Sequence, residues 1–384
     1  MKSMNPFLTE KHREVRRSVR AFCEAELAPI AKDLDQEARF PWEVVEKMGA
    51  LGYFGIQVPK DLGGAGMDSV SYVVAIEEIS RVCGGMGLCV TVHNSVAVHP
   101  IMAFGTREQQ VKWVPDLAAG KKIGAFCLTE PNAGSDASGI QAVALKDGDH
   151  YVVNANKVFV TNGGVADTCL IFVRTNPEAG PRGISVIVAE RGTPGFVVGD
   201  LEDLCGMRCN PVSSIRLNDC RIPEDHLLGK EGIGLAIGLA GLDTGRIGIA
   251  AQALGIAQAA LEEGIRYSKQ RRQFKVPIAK HQSVANMIAD MATQVDAARL
   301  MVYRAAALKD LKKPFSKESA MAKLFAAETA STVTDMAVQI HGGYGYSKDY
   351  PVERYFRDAR VTRIYEGTSE VHRTVIARSV LGKF

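Results

Sequence analysis

The chain lacks any Cys-x-x-Cys pair. Its eight cysteines stand apart at positions 23, 83, 89, 127, 169, 205, 209 and 220. The Cys205/Cys209 spacing has no second pair to complete a zinc site, so buried free thiols in a reducing compartment are expected. The eight histidines include no His-x-x-x-His spacing, and none pairs with an obvious serine or cysteine nucleophile. No metal site is therefore expected. A net charge of +3 is too small to point to nucleic acid or an anionic membrane. No apolar run approaches the length of a bilayer crossing, so no membrane span is expected. Internal repeats, low-complexity segments and long linkers are also missing. The start, Met1 to Glu10, carries no apolar signal core. It suits a bacterial or archaeal cytoplasmic chain, and a processed mitochondrial protein would look the same.

Two glycine-rich stretches fall short of nucleotide-binding motifs. Pro59-Lys-Asp-Leu-Gly-Gly-Ala-Gly66 lacks the lysine of a P-loop and a preceding strand, and reads as a turn. Gly232-Ile-Gly234 with Gly238 places its last glycine one position late and has no βαβ unit around it, which excludes a Rossmann site.

What is present is an ordinary globular composition in 384 residues, 46% apolar and 23% charged, enough for two or three structural units. Residues 1–122 read as helical, beginning with an amphipathic pattern from Glu10 to Leu27. His93 and His99 fall in an apolar helical stretch and read as core or pocket-wall residues. Residues 123–228 carry short β-rich runs at Gly124–Leu128, Tyr151–Val160, Cys169–Val173, Ile184–Ala189 and Ser214–Cys220, with a hairpin signal at Asp147-Gly-Asp149. Residues 229–384 are helical again, with apolar residues on nearly every face of Gly241–Lys269, as in a helix inside a bundle. The expected fold is α+β multidomain: an N-terminal helical domain, a middle antiparallel β-barrel or sandwich and a C-terminal helical bundle.

Four stretches could carry chemistry. Phe126 to Asp136 places hydroxyls, backbone amides and glycine at a strand end, suited to the polar edge of a planar ring. Arg271-Arg272-Gln-Phe274, followed by Gln282, offers guanidinium groups for a diphosphate beside an aromatic. Asp243 with Arg246 places a charged pair in an apolar helix. In Ile364-Tyr-Glu-Gly-Thr-Ser-Glu370, Glu366 stands between an aromatic residue and a glycine. A carboxylate there can act as a base on a weakly acidic carbon if it is positioned and desolvated.

Taken in order, these stretches resemble the acyl-CoA dehydrogenase family, especially its short-chain members, over essentially the whole chain. The motifs that carry the likeness are Leu128-Thr-Glu-Pro-Asn-Ala-Gly-Ser-Asp136, Leu242-Asp-Thr-Gly-Arg246 and Arg271-x-x-Phe274. Gln339-Ile-His-Gly-Gly-Tyr-Gly345, Arg357-Asp-Ala-Arg360 and Tyr365-Glu-Gly-Thr368 complete the set.

The resemblance implies a homotetrameric flavoprotein of three domains, an N-terminal helical domain, a middle antiparallel β-barrel and a C-terminal four-helix bundle, with FAD between the β-domain and the bundle. Leu128, Thr129 and Ser135 would line the flavin and its linker, with Phe159 and Thr161 covering it. Arg271, Phe274 and Gln282 would reach a partner subunit's FAD. Gln339, Gly342 and Gly343 would hold its nucleotide end, and Thr368 with Glu370 would complete the pocket. Asp243 and Arg246 would contact the pantetheine arm of coenzyme A, and Ser135, Tyr365 and Gly367 would also line the substrate. Glu366 would remove the pro-R α-proton of an acyl-CoA thioester while a β-hydride passes to flavin N5. The backbone N–H of Glu366 and a flavin ribityl hydroxyl would receive the thioester oxygen. Electrons would pass to electron-transferring flavoprotein. A flavin acyl-CoA oxidase and a non-catalytic acyl-CoA-binding homologue are the competing readings.

The chain departs from the family pattern in places. Phe159 stands for a tryptophan, Lys275 for a glycine, and Asn154-Ala155 for an Asn-Gly hairpin turn. Gly87 stands where relatives that bind dicarboxylyl thioesters carry an arginine, which argues against an acidic acyl tail and leaves a butyryl-like, small branched or cyclic acyl group.

Overall fold

In the computed structural model, which describes residues 8–382, the first third is helical. It comprises α1 (Glu10–Phe22), α2 (Ala31–Gln36), α3 (Trp42–Ala50), α4 (Ser69–Val82), α5 (Gly84–Val92), α6 (His99–Phe104) and α7 (Arg107–Ala118). Local chemistry sets the helix starts. Asp68 caps α4 by accepting the Ser71 N–H at 2.7 Å. Thr106 and Gln109 satisfy each other's backbone N–H groups at the start of α7, which is how orphan donors of a first turn are met. The Met1–Glu10 reading falls mostly outside the described residues.

The middle of the chain folds as β1 (Gly124–Cys127), β2 (Val143–Asp147), β3 (His150–Val160), β4 (Thr168–Arg174), β5 (Ile184–Glu190), β6 (Phe196–Leu201) and β7 (Ser213–Pro223). They form one curled sheet in the order β1-β4-β2-β3-β7-β6, with β5 also paired to β4. Most pairs are antiparallel. β1 runs parallel to β4, with Gly124 opposite Thr168, and β2 meets β4 in parallel at Val143. The hairpin expected at Asp147-Gly-Asp149 joins β2 to β3, with Gly148 supplying a φ of 63° that the tight turn needs. Asn154-Ala155 is not a turn, contrary to the sequence expectation. It lies within β3 at a bulge opposite β7, where the Asn154 amide exchanges hydrogen bonds with Asp219. A bulge leaves one residue out of the ladder, and a short amide side chain can occupy that position.

The last part begins with α8 (Gly234–Gln270), passes through the two-stranded turn β8 (Arg272–Gln273) and β9 (Val276–Pro277), and continues as α9 (Gln282–Asp310), α10 (Ser316–His341), α11 (Val352–Val361) and α12 (Ser369–Leu381). The Gly232–Gly238 stretch opens α8 against β5: the Gly232 N–H donates to Ser185 Oγ at 2.9 Å. Those glycines serve helix–strand packing.

One expectation is corrected. The helical run Gly84–Phe104 is long and apolar enough to cross a membrane by length and composition, but most of it is buried within the fold. It is apolar because it packs on α4, α8 and β1. His93 lies in this run and is fully buried. Its Nε2 donates to the Leu117 carbonyl at 3.1 Å, and its Nδ1 accepts the Gly124 N–H at 3.0 Å. Burial pushes its pKa down to about 4, so the neutral ring joins α7 to β1 as a satisfied core histidine. Half-buried His99 is pushed down to about 4 by burial and by Lys309.

A charged cluster ties α1, α4 and α9 together. Glu77 on α4 receives Arg16 at 3.2 Å, Arg299 at 3.1 Å and the Tyr303 hydroxyl. Its neighbour Glu78 takes a two-pronged contact from Arg20 at 2.8 and 3.0 Å.

Candidate active site

The loop between α11 and α12 presents Glu366 to the middle of α8. Glu366 has a φ of 51° and Gly367 a φ of 98°, two successive left-handed residues that turn the chain sharply. Gly367 adopts this conformation at no steric cost; Glu366 does so at a cost of about 1–3 kcal/mol. Thr368 then caps α12, its hydroxyl accepting the Val371 N–H at 3.2 Å.

The carboxylate of Glu366 rests on Gly245. A Cβ there would fall 2.1 Å from Oε2, so any side chain larger than glycine's would force the carboxylate from this position. Both carboxylate oxygens are buried and have no hydrogen-bond partner among the described residues. Burial pushes the carboxyl up to about 7, against the opposing pull of Lys323 and Arg246. A buried, unpartnered acid poised near neutrality is uncommon for structural carboxylates and suited to a base.

The neighbours hold this arrangement. Arg246 is buried and donates to Asp243 Oδ1 at 2.6 Å, and Ser316 at the start of α10 donates to the same oxygen at 2.9 Å. Tyr365 donates its hydroxyl to Gln252 on α8 at 2.7 Å. Tyr72 of α4 reaches α8 at Gly248, where a Cβ would fall 2.4 Å from its hydroxyl. Lys323 of α10, fully buried, donates to the Gly367 carbonyl at 2.6 Å.

The remaining expected residues fall into two groups. Leu128 and Thr129 follow the end of β1, where the Thr129 carbonyl accepts the Val158 N–H at 3.0 Å. That bond sets Thr129 against Val158, one residue before Phe159 and three before Thr161. Phe159 has a φ of 53° and a ring 62% exposed. Ser135 is exposed in the loop after β1. On the bundle, Arg271, Gln339, Gly342 and Gly343 line one cleft of about 600 Å³, with Tyr267 and Tyr344. The Arg271 guanidinium lies 5.6 Å from the centre of the Tyr344 ring. Phe274 is 87% exposed at the β8–β9 turn and meets His281 edge-on, next to Gln282 at the start of α9. Phe274 and Lys275 have φ values of 50° and 67°, so the lysine occupies a left-handed position that glycine would take without strain. Glu370 is exposed in the first turn of α12.

Three family models match in chain order: acyl-CoA dehydrogenase N-terminal domain over residues 9–121, middle domain over 125–220 and C-terminal domain over 231–381. The short-chain specific acyl-CoA dehydrogenase of Clostridium acetobutylicum is 48% identical over 373 residues, covering 97% of this chain and 98% of its own. The chain belongs to the acyl-CoA dehydrogenase family. The solved butyryl-CoA dehydrogenase of Megasphaera elsdenii is 42% identical with a TM-score of 0.96, covering 97% of this chain and 99% of its own. A chain solved in work on the electron transferring flavoprotein of Acidaminococcus fermentans is 46% identical with a TM-score of 0.97, covering 98% of this chain and 99% of its own. Members of this family are FAD-dependent oxidoreductases.

The residues present fit that cofactor. A guanidinium, an amide and two glycines whose Cβ positions face open space form a donor set for a diphosphate and nucleotide. The exposed aromatic Phe159 beside two threonines offers a platform for a planar ring.

Sequence reasoning missed Gly245, Gln252, Tyr72, Lys323 and His372 around Glu366. A lone lysine among the alanines of Ala320–Ala327 was the available signal for Lys323.

Proposed function

We propose that this enzyme removes the elements of hydrogen across the α and β carbons of a short-chain, small branched or cyclic acyl-CoA thioester, giving the 2-enoyl-CoA. The observation that carries the reading is the buried carboxylate of Glu366, unpartnered and seated on Gly245. Glu366 accepts the α-proton, and its backbone N–H is the chain's donor to the thioester oxygen as charge gathers there. Asp243 and Arg246 hold the pantetheine arm, while Ser135, Tyr365 and Gly367 line the path to the base. FAD, when bound, supplies the acceptor for the β-hydride and passes electrons to electron-transferring flavoprotein.

Leu128, Thr129, Ser135, Phe159, Thr161, Thr368 and Glu370 hold FAD from one chain. Arg271, Phe274, Gln282, Gln339, Gly342 and Gly343 hold it from a partner in a homotetramer. The exposure of Phe274 supports this division, since a large aromatic left in water needs a surface to cover it. A second observation bears on the acyl group. A Cβ at Gly87 would fall 2.0 Å from Ser80 Oγ, so α4 and α5 pack too closely for an arginine there. That supports an uncharged acyl tail.

Anaerobic bleaching of the flavin band by butyryl, isobutyryl, isovaleryl, hexanoyl, octanoyl, cyclohexanecarbonyl and glutaryl thioesters tests the reading. Rapid bleaching by one of the short, branched or cyclic members and none by glutaryl-CoA is expected. Bleaching by dithionite but by no thioester would overturn it.

Gly245→Ala tests the seat of the base. Its methyl group would push the carboxylate aside by about an ångström, and a misplacement of that size costs on the order of 100-fold in rate. FAD content and melting temperature should stay near wild type. An alanine variant with unchanged single-turnover rates would count against Gly245 as the seat.

A further inference from the structure

Lys323 stands on a face of α10 built of alanines, with its side chain removed from solvent. Burying an ammonium costs several kcal/mol unless its charge is used. The bond it makes is to the Gly367 carbonyl, at 2.6 Å, one residue beyond Glu366. That carbonyl belongs to the left-handed pair Glu366-Gly367, a backbone that stays put only when its surroundings hold it.

The other charged and titratable groups packed around Glu366 leave Lys323 a distinct part. Arg246 on α8 is engaged by Asp243 at 2.6 Å. Glu328 on α10 faces Arg363 at 3.1 Å and Arg373 at 3.6 Å. Glu370 on α12 is exposed, and Tyr72 on α4 and Tyr365 hold their phenolic protons, pushed up by burial. His372 on α12 is fully buried against Gly367. Burial, with Lys323 and Arg246 beside it, pushes His372 down to about 3, so it is neutral in the working range. Among the described residues around Glu366, Lys323 is thus the cation without a carboxylate of its own, other than Glu366.

We propose that Lys323 is a positioning residue for Glu366: its ammonium clamps the catalytic loop through the Gly367 carbonyl and favours the ionised carboxylate in a dry site. Burial pulls Lys323 down to about 7, opposed first by Glu366, so the charge on each group favours the charge on the other.

The inference rests on Glu366 being the base, and its test separates the two claims. In FAD-loaded enzyme, Lys323→Met and Lys323→Arg are compared with wild type by two readouts. One is the pH dependence of anaerobic flavin reduction by butyryl-CoA. The other is the infrared carboxyl band of Glu366, identified by its loss in Glu366→Gln. The methionine variant is expected to raise both midpoints by about one unit or more, the size typical of losing a nearby opposite charge. It should slow reduction about ten-fold at pH 6, with recovery at high pH. The arginine variant should return the midpoints toward wild type. Superimposed midpoints, or an equal loss at every pH with an unmoved infrared band, would overturn the inference. Should the methionine variant not fold, Lys323→Gln is read by the same midpoints. If no thioester reduces wild type, the infrared titration still decides the role of Lys323, and only the assignment of the base fails.

Discussion

Glu366→Gln is expected to keep bound FAD and lose nearly all turnover, on the order of 10⁴-fold in the reductive half-reaction. That is the upper range for removing a positioned general base. The amide has the size of the carboxyl and fits the same seat on Gly245, so a loss of this kind reports the missing proton acceptor. Stopped-flow bleaching under anaerobic conditions measures it, and a variant that retained most of its activity would sink the assignment. The wild-type enzyme carries a companion signature in its pH profile. Burial raises this carboxyl to about 7, and only the ionised form accepts a proton. Reduction should therefore slow about ten-fold per unit as the pH falls below neutrality and level off above it. For stability the sign runs the other way. A group whose pKa is raised on folding stabilises the fold fully below its unfolded pKa, and that contribution is lost as pH rises through about 7. A desolvated carboxylate at the proposed base thus contributes less stability above neutrality than below its unfolded pKa, a trade seen at many functional sites.

Glu366 was legible as the candidate base through the ordered motifs of the whole chain, since the stretch Ile364 to Glu370 taken alone reads as readily as a solvated loop. The seat of the base was not. Gly245 lies in a helix rich in small residues, and nothing local distinguishes it from Gly241 or Gly248; its meaning comes from the way α8 packs on the α11–α12 loop. Lys323 is similar, since its partner is a backbone carbonyl 44 residues away. In the sheet, β1, β3, β4, β5 and β7 announce themselves by buried apolar residues. β2 and β6 do not, because half or more of their residues face solvent, and their pairing comes from the curl of the sheet rather than from their own composition. Asn154-Ala155 misled for a related reason: an asparagine that suits a turn suits a bulge equally well.

Glu77→Ala is expected to destabilise the fold by about 3–5 kcal/mol, the range for removing one partner from a buried ion pair. Glu77 is only 3% exposed and stands between Arg16 of α1 and Arg299 of α9, with the Tyr303 hydroxyl also directed at it. Alanine would leave those guanidinium groups facing one another across a small void. Burial alone would raise the Glu77 pKa, but Arg299, Arg16 and Tyr303 outweigh it and hold the carboxyl below its usual range. Its contribution is therefore present above the unfolded pKa and lost as pH falls through the folded value, so wild type should lose stability in acid more steeply than the alanine variant. Thermal and denaturant unfolding across pH measure both effects. Replacing Glu77, Arg16 and Arg299 together by apolar residues of similar size should recover much of the loss, because no charge is then left unpaired. A single variant as stable as wild type would mean that the cluster exchanges its hydration for hydrogen bonds at no net gain. The reduction rate adds a further discrimination: α4 carries Glu77 near its middle and Tyr72 five residues earlier, on a different face, against α8. Loosening at Glu77 should therefore lower the melting temperature well before it disturbs the seat of Glu366.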